Sequence, residues 1–169
     1  GGKNVFILAN WEPTGGVGDS GYIWTDHTRW SADTPEEPVS ILPFLLYTSW
    51  VGIDRLDLRN AQMSVYLRGD DLSLDNARCY FWIHVGGTRW HYTGHPLTIT
   101  DGTWANGPNV VALEDDESLW HMSWSLDPTN PTPLSEVIAS AESFGFSFVG
   151  FKQEPRGKFS MDDFRIVPQ

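Results

Sequence analysis

The segment CYFWIHVGGTRWHYTG, from Cys79 to Gly94, decides how this chain folds. Two consecutive glycines, Gly86 and Gly87, divide it into two arms. Paired glycines supply the positive φ angles that a two-residue hairpin turn requires. The segment therefore predicts a β-hairpin in which Val85 lies opposite Thr88, and the pairing continues outward one residue at a time.

Alternation along the two arms sorts the hairpin side chains into two faces. The apolar face, which predicts a core, contains Cys79, Phe81, Ile83, Val85, Trp90 and Tyr92. The other face contains Tyr80, Trp82, His84, Arg89 and His91. The preceding strand, AQMSVYLRG at residues 61–69, has Gln62, Tyr66 and Arg68 on its polar side. We expect these strands to lie side by side and to present one open surface.

The remaining sequence reads as short strands separated by turns, because 16 glycines and 11 prolines are spread along it. The segments that read as strands are Gly21 to Trp30, Val39 to Trp50, Leu56 to Arg68, Val110 to Glu114, Ser118 to Leu126, 144–151 and 158–167. One segment, PLSEVIASAES at 133–143, has apolar residues at helical spacing. The pattern predicts an all-β fold: an antiparallel β-sandwich with one short helix, formed as a single domain over residues 1–169.

Composition restricts the classes of partner. The chain has 169 residues, nine of them tryptophan, and a net charge of −11. Nucleic acids and anionic membranes call for a basic surface, so neither is expected as a partner. No apolar run is long enough to span a membrane. We expect a monomer, secreted or on the cell surface and tethered to other domains; the start at Gly1-Gly2 without Met suggests a domain cut from a larger protein.

The open surface has the composition of a carbohydrate platform. Sugar rings stack their C–H faces on Trp and Tyr, and their hydroxyl groups bond to Arg, His and Gln. The candidate binding residues are Trp82, Tyr80, His84, Arg89, His91, Tyr66, Arg68 and Gln62. The net charge favours a neutral sugar over a strongly anionic one. The same pattern is typical of an amphipathic sheet whose outer rings are covered by a loop or by the helix.

Further tryptophans are sorted less clearly. Strict alternation from Ser118 to Leu126 places Trp120, Met122 and Trp124 on one face, which we expect to be core. Three others, Trp24, Trp30 and Trp104, lie near loops where they could flank a ligand.

The two ends of the chain resemble a known family. The segments ILANWEP (Ile7 to Pro13), FGFSFVGF (144–151) and KFSMDDFRIV (158–167) resemble the first, penultimate and last strands of galactose-binding-like jelly-roll carbohydrate-binding modules. The resemblance implies a structural calcium beside the first and last strands, with Glu12 and Asp162 or Asp163 as ligands and Asp19 as a further carboxylate. The alternative is that Asp162 and Asp163 are solvated edge charges.

Two other function classes stay open. A polysaccharide lyase on a similar sandwich would use a Tyr or His as base and Arg or Gln to neutralise a uronate carboxylate. The residues that could serve as this base or neutralise the carboxylate are Tyr66, His84, His91, Arg68, Arg89 and Gln62. A structural or adhesion domain of a surface or phage protein would bind no sugar at all.

Overall fold

A computed structural model describes residues 9–26, 40–153 and 155–169 of the chain, without the side chains of residues 40 and 41. Two β-sheets pack face to face over these residues, and nearly all strand pairs are antiparallel. The prediction of an antiparallel β-sandwich with one short helix is confirmed.

One sheet has six strands and contains the strand at each end of the described chain. Its strands are β1 (Asn10–Glu12), β2 (Tyr22–Thr25), β4 (Ala61–Ser73), β7 (Thr100–Asp101), β8 (Asn109–Leu113) and β11 (Arg156–Pro168). They run in the order β1-β2-β11-β4-β7, with β8 also paired to β4. Among the strands that the structure describes, only the short β4–β7 pair is parallel.

The second sheet has five strands within the described ranges and contains the hairpin. Its strands are β3 (Ser40–Tyr47), β5 (Arg78–Val85), β6 (Thr88–His91), β9 (His121–Ser125) and β10 (Ser143–Val149), in the order β3-β10-β5-β6-β9. The hairpin register agrees with the prediction, because Val85 lies opposite Thr88 and Trp82 lies opposite His91. Gly86 and Gly87 have φ angles of 57° and 78°, as the turn requires.

The core lies between the two sheets and is built from the residues that alternation assigns to it. Met63, Val65 and Leu67 come from one sheet, and Phe81 and Ile83 come from the other. The three phenylalanines of β10 are buried in the same core: Phe144, Phe146 and Phe148.

The helix α1 (Leu134–Ala139) closes one end of this core with Leu134, Val137 and Ile138, none of which is exposed. The predicted helical segment is therefore confirmed. Among the described residues, the structure contains no helix that is long and apolar enough to cross a membrane.

Some strand boundaries differ from the sequence-based prediction. The strand expected over Leu56 to Arg68 begins at Ala61 and continues to Ser73. Leu56 instead forms an isolated bridge with Ala141, and Asn60 has a φ of 54° that interrupts an extended chain. The end of the predicted Gly21 to Trp30 strand, including Trp30, lies outside the described residues.

Candidate functional site

The predicted single open surface is wrong. β4 and β5 are consecutive along the chain, but they belong to different sheets. Their polar sides face away from the common core and therefore point to opposite sides of the molecule. Gln62, Tyr66 and Arg68 cannot share a surface with the hairpin residues, and the six residues considered for a lyase do not converge on one substrate.

The hairpin's outer side chains are also less open than predicted. Tyr80, Trp82, Arg89 and His91 are 9%, 2%, 3% and 1% exposed. Trp82 lies opposite Gly145, which has no side chain, and its indole N–H donates to the carbonyl of Phe146 at 2.9 Å. The ring is therefore held against the backbone of the neighbouring strand, and its face is not exposed for stacking on a sugar.

A layer of polar and aromatic groups surrounds Trp82 on this outer side. The guanidinium of Arg89 lies 5.9 Å from the ring centroids of both Trp82 and Trp124. Its Nε donates to Ser123 Oγ at 3.1 Å, and the same hydroxyl lies 3.2 Å from His91 Nε2. Burial, followed by the charge of Arg89 and by His121, lowers the pKa of His91 well below its usual value. Arg89 and His91 thus form part of a buried network.

Trp124 lies on the outer face, not in the core as strict alternation predicts. Arg89 lies opposite Trp124, whereas the next residue, Trp90, lies opposite Met122. Ser123 is therefore the extra residue of a β-bulge, and a bulge reverses the face on which the following residues lie. Met122 therefore lies on the core side, as Trp90 does, and Trp124 lies on the outer side.

The bulge completes a line of residues across the whole five-stranded sheet. Tyr47, Ser143, His84, Arg89 and Trp124 lie opposite one another in register, one on each strand. The line is about 19 Å long at a strand spacing of about 4.8 Å.

Neighbouring rings along this line are close enough to form a continuous track. The ring centroids of Tyr47 and Trp50 are 4.6 Å apart, those of Tyr47 and His84 are 6.4 Å apart, and those of His84 and Trp124 are 6.1 Å apart. We call Trp50, Tyr47, His84 and Trp124 the ring row. Trp50 is 58% exposed and the other three are partly buried.

His84 is the predicted site residue that belongs to the ring row. Its Nδ1 lies 3.1 Å from Ser143 Oγ and 3.2 Å from Glu142 Oε1. Glu142 also accepts a hydrogen bond from Arg55 at 2.9 Å. These contacts fix the imidazole in the middle of the row.

The other predicted residues lie on the outer face of the six-stranded sheet. Tyr66 and Arg68 are partly buried there, and Arg68 donates through Nε and Nη2 to Asp70 Oδ1 at 3.2 and 2.7 Å. Gln62 lies six residues before Arg68 on the same strand, about 20 Å away, and accepts a hydrogen bond from Gln169. Tyr66 and Arg68 are therefore close to each other, whereas Gln62 is not close to Arg68.

The carboxylates assigned to calcium are bonded to other groups of the chain. Asp162 accepts from Val17 N–H, from Ser20 Oγ and from Asp163 N–H, so both of its oxygens face donors. Asp163 pairs with Arg165, and Glu12 Oε1 accepts from the indole of Trp24. Within residues 9–26, 40–153 and 155–169, no three His, Cys, Asp or Glu side chains are grouped as metal ligands.

Sequence reasoning missed Tyr47, Trp50 and Trp124. Tyr47 could have been found, because alternation along β3 places it on the opposite side from Leu46. Trp124 could not, because only the structure reveals the bulge at Ser123.

No family model and no curated protein matches this chain. Two solved structures are similar in overall fold. One is the carbohydrate-binding module CtCBM11, with a TM-score of 0.48, 12% identity, and coverage of 96% of this chain and 83% of that one. The other is an exo-beta-agarase, also with a TM-score of 0.48 and 12% identity, where the match covers 95% of this chain and 22% of the agarase. At this level of similarity, the two matches say nothing about the ligand of this chain.

Proposed function

We propose that this chain is a non-catalytic carbohydrate-binding module, and that a poly- or oligosaccharide binds along the ring row. The observation that carries the proposal is the continuity of the row, which spans the sheet from β3 to β9 with ring centroids 4.6 to 6.4 Å apart. An extended chain of sugar rings suits such a track, because each ring can place a C–H face against an aromatic plate.

Polar groups stand at the base of the same row. Ser143 and His84 offer groups that donate and accept hydrogen bonds, and Glu142 offers an acceptor beside them. The buried layer beneath, with Arg89 between Trp82 and Trp124, holds the outer rings in place before a ligand arrives. A preformed site of this kind saves the entropy of ordering side chains on binding.

We infer a neutral sugar, because the net charge of −11 opposes the approach of an anionic polymer. Since polysaccharides of this kind lie outside cells, we place the module in a secreted or surface protein, as a monomeric domain tethered to others.

Affinity electrophoresis tests the proposal. The unmodified chain should be retarded in gels that contain soluble neutral polysaccharides: mixed-linkage glucan, xylan or galactomannan. Trp50→Ala and Trp124→Ala should each weaken binding roughly fivefold, since one aromatic contact contributes about 1 kcal/mol. Trp11→Ala is the matched control, because Trp11 is 67% exposed on the other sheet.

The outcomes are distinct. If the unmodified chain and both ring-row variants migrate equally in a gel that retards them, the binding site lies elsewhere on the molecule. No retardation by any polysaccharide would favour an adhesion or structural domain. If absorbance from an unsaturated product appears when the chain is incubated with alginate or pectin, the protein is a lyase and not a binding module.

A further inference from the structure

A second line of residues crosses the outer face of the six-stranded sheet, on the opposite side of the molecule from the ring row. Asn10, Trp24, Ser160, Arg68 and Thr100 lie opposite one another on β1, β2, β11, β4 and β7. This face therefore has its own aligned set of side chains.

Ser160, at the centre of that line, has an unusual environment. It is 0% exposed, and its hydroxyl has no hydrogen-bond partner in the described part of the chain. An unpaired buried hydroxyl destabilises the folded chain. A hydroxyl in that state can bond to a ligand group that reaches it.

Aromatic rings and cations flank Ser160 in the sheet: Trp24 and Arg68 lie opposite it, and Lys158 lies two residues before it on β11. The Lys158 ammonium lies 4.6 Å from the ring centroid of Trp24 and 5.1 Å from that of Tyr22, and it donates to Tyr22 Oη at 2.9 Å. Trp104 meets Tyr22 edge to face at 5.5 Å, and the Arg68 guanidinium lies 5.7 Å from the Trp104 ring centroid. We call Tyr22, Trp24, Trp104, Lys158 and Arg68 the second cluster.

The charges of the second cluster are only partly compensated. Arg68 is paired with Asp70 at 2.7 Å. Lys158 has no carboxylate within 4.0 Å among the residues that the structure describes. Its ammonium lies over the rings of Trp24 and Tyr22 and donates to the Tyr22 hydroxyl. Two of its three N–H donors therefore stay available for a ligand.

The indole N–H of Trp104 donates to the carbonyl of Gly15 at 2.8 Å, so this ring is fixed from the side as well. Together with the Ser160 hydroxyl and the Asp70 carboxylate beside it, the second cluster thus combines ring faces, hydroxyl groups and cationic donors. That combination is the chemistry that recognises a pyranose ring with several hydroxyl groups.

We propose that the second cluster is a second saccharide site, in which a sugar hydroxyl displaces the Lys158 ammonium from Tyr22 and bonds to Ser160. The class of ligand rests on the proposed function, but the site is separate. The two sheets pack back to back, so the two sites face in opposite directions. One module can then hold two polysaccharide chains at once.

Isothermal titration with a panel of neutral gluco-, xylo-, manno- and galacto-oligosaccharides tests this inference. The unmodified chain should bind two equivalents of a ligand. The double variant Trp50→Ala with Trp124→Ala should retain one equivalent. In that background, Ser160→Ala should weaken the remaining site at least fivefold while the free energy of unfolding stays the same or rises, because the unpaired hydroxyl is gone.

Ser160→Ala separates a binding role from a purely structural one, since only binding predicts a loss of affinity without a loss of stability. Trp104→Ala, in a loop at the edge of the cluster, gives an independent check on the same site. A stoichiometry of one, with all binding lost in the ring-row double variant, would overturn the second site and leave the proposed function intact. Absence of binding to every oligosaccharide would overturn both.

Discussion

The single imidazole of His91 should govern how stability depends on pH. Burial, the charge of Arg89 and the proximity of His121 lower its pKa in the folded chain, whereas the unfolded chain keeps a value near 6.5. Protons therefore bind preferentially to the unfolded state, so stability is complete above about pH 6.5 and falls as the pH decreases below it.

Chemical denaturation between pH 7.5 and pH 5 measures this effect. We expect the free energy of unfolding to fall over this range, and we expect His91→Gln to show a smaller fall because it removes the titrating ring. Identical slopes for the two proteins would assign the acid sensitivity to another group.

Trp82 is a structural residue in this fold, in contrast to its predicted role as a stacking plate. It is 2% exposed and its indole N–H is bonded to the carbonyl of Phe146. Trp82→Ala should lower the free energy of unfolding by about 3 to 5 kcal/mol, as measured from urea denaturation midpoints. Trp11→Ala is the control and should change stability by less than about 0.5 kcal/mol. A stable Trp82→Ala variant with lost sugar binding would restore the original prediction.

Among the elements, the hairpin was the most predictable from the sequence, and the strands that pair with β4 were the least predictable. Gly86 and Gly87 determine the hairpin locally, so its register and its core face follow from the sequence. The partners of β4 are β7, β8 and β11, all distant in sequence, and alternation alone carries no information on which sheet a strand joins. The Ser123 bulge likewise leaves no signature, so Trp124 was assigned to the wrong face.

The glycine-rich loop between β1 and β2 is held by Asp162 of β11. Its carboxylate accepts from Val17 N–H at 2.7 Å and from Ser20 Oγ at 2.8 Å. A Cβ on Gly16 would collide with the same carboxylate, which explains the glycine there. In this loop, N–H and O–H donors bind the Asp162 carboxylate at the position where the family resemblance implies calcium.

Asp162→Asn should therefore destabilise the fold by about 1 to 3 kcal/mol, because an amide nitrogen cannot accept these bonds. Asp163→Asn is the matched control: its partner Arg165 is exposed, and an exposed ion pair contributes less than about 1 kcal/mol. Thermal melts with and without a calcium chelator complete the experiment, and we expect no shift. A lower melting temperature in chelator would mean that a metal does bind the chain.

At the scale of the whole molecule, the two outer faces carry different chemistry over one shared core. The five-stranded sheet presents a track of rings above a buried polar layer, and the six-stranded sheet presents rings and cations around one buried hydroxyl. Both faces are half-buried mixtures of aromatic and polar groups, and the chain that carries them has a net charge of −11. The net charge should therefore decide which polymers can approach.

Salt dependence measures that influence directly. Between about 0.01 M and about 1 M salt, the Debye length falls from about 30 Å to about 3 Å, which removes the long-range field of the protein. The affinity for a neutral oligosaccharide should change by less than about twofold over this range, because such a ligand carries no charge on which the field can act. Retardation by an anionic polysaccharide such as alginate should be absent at low salt, where a net charge of −11 repels it most strongly. If alginate is instead retarded at low salt and its affinity falls steeply as salt is added, the ligand is an anionic polysaccharide bound through Arg68 and Lys158.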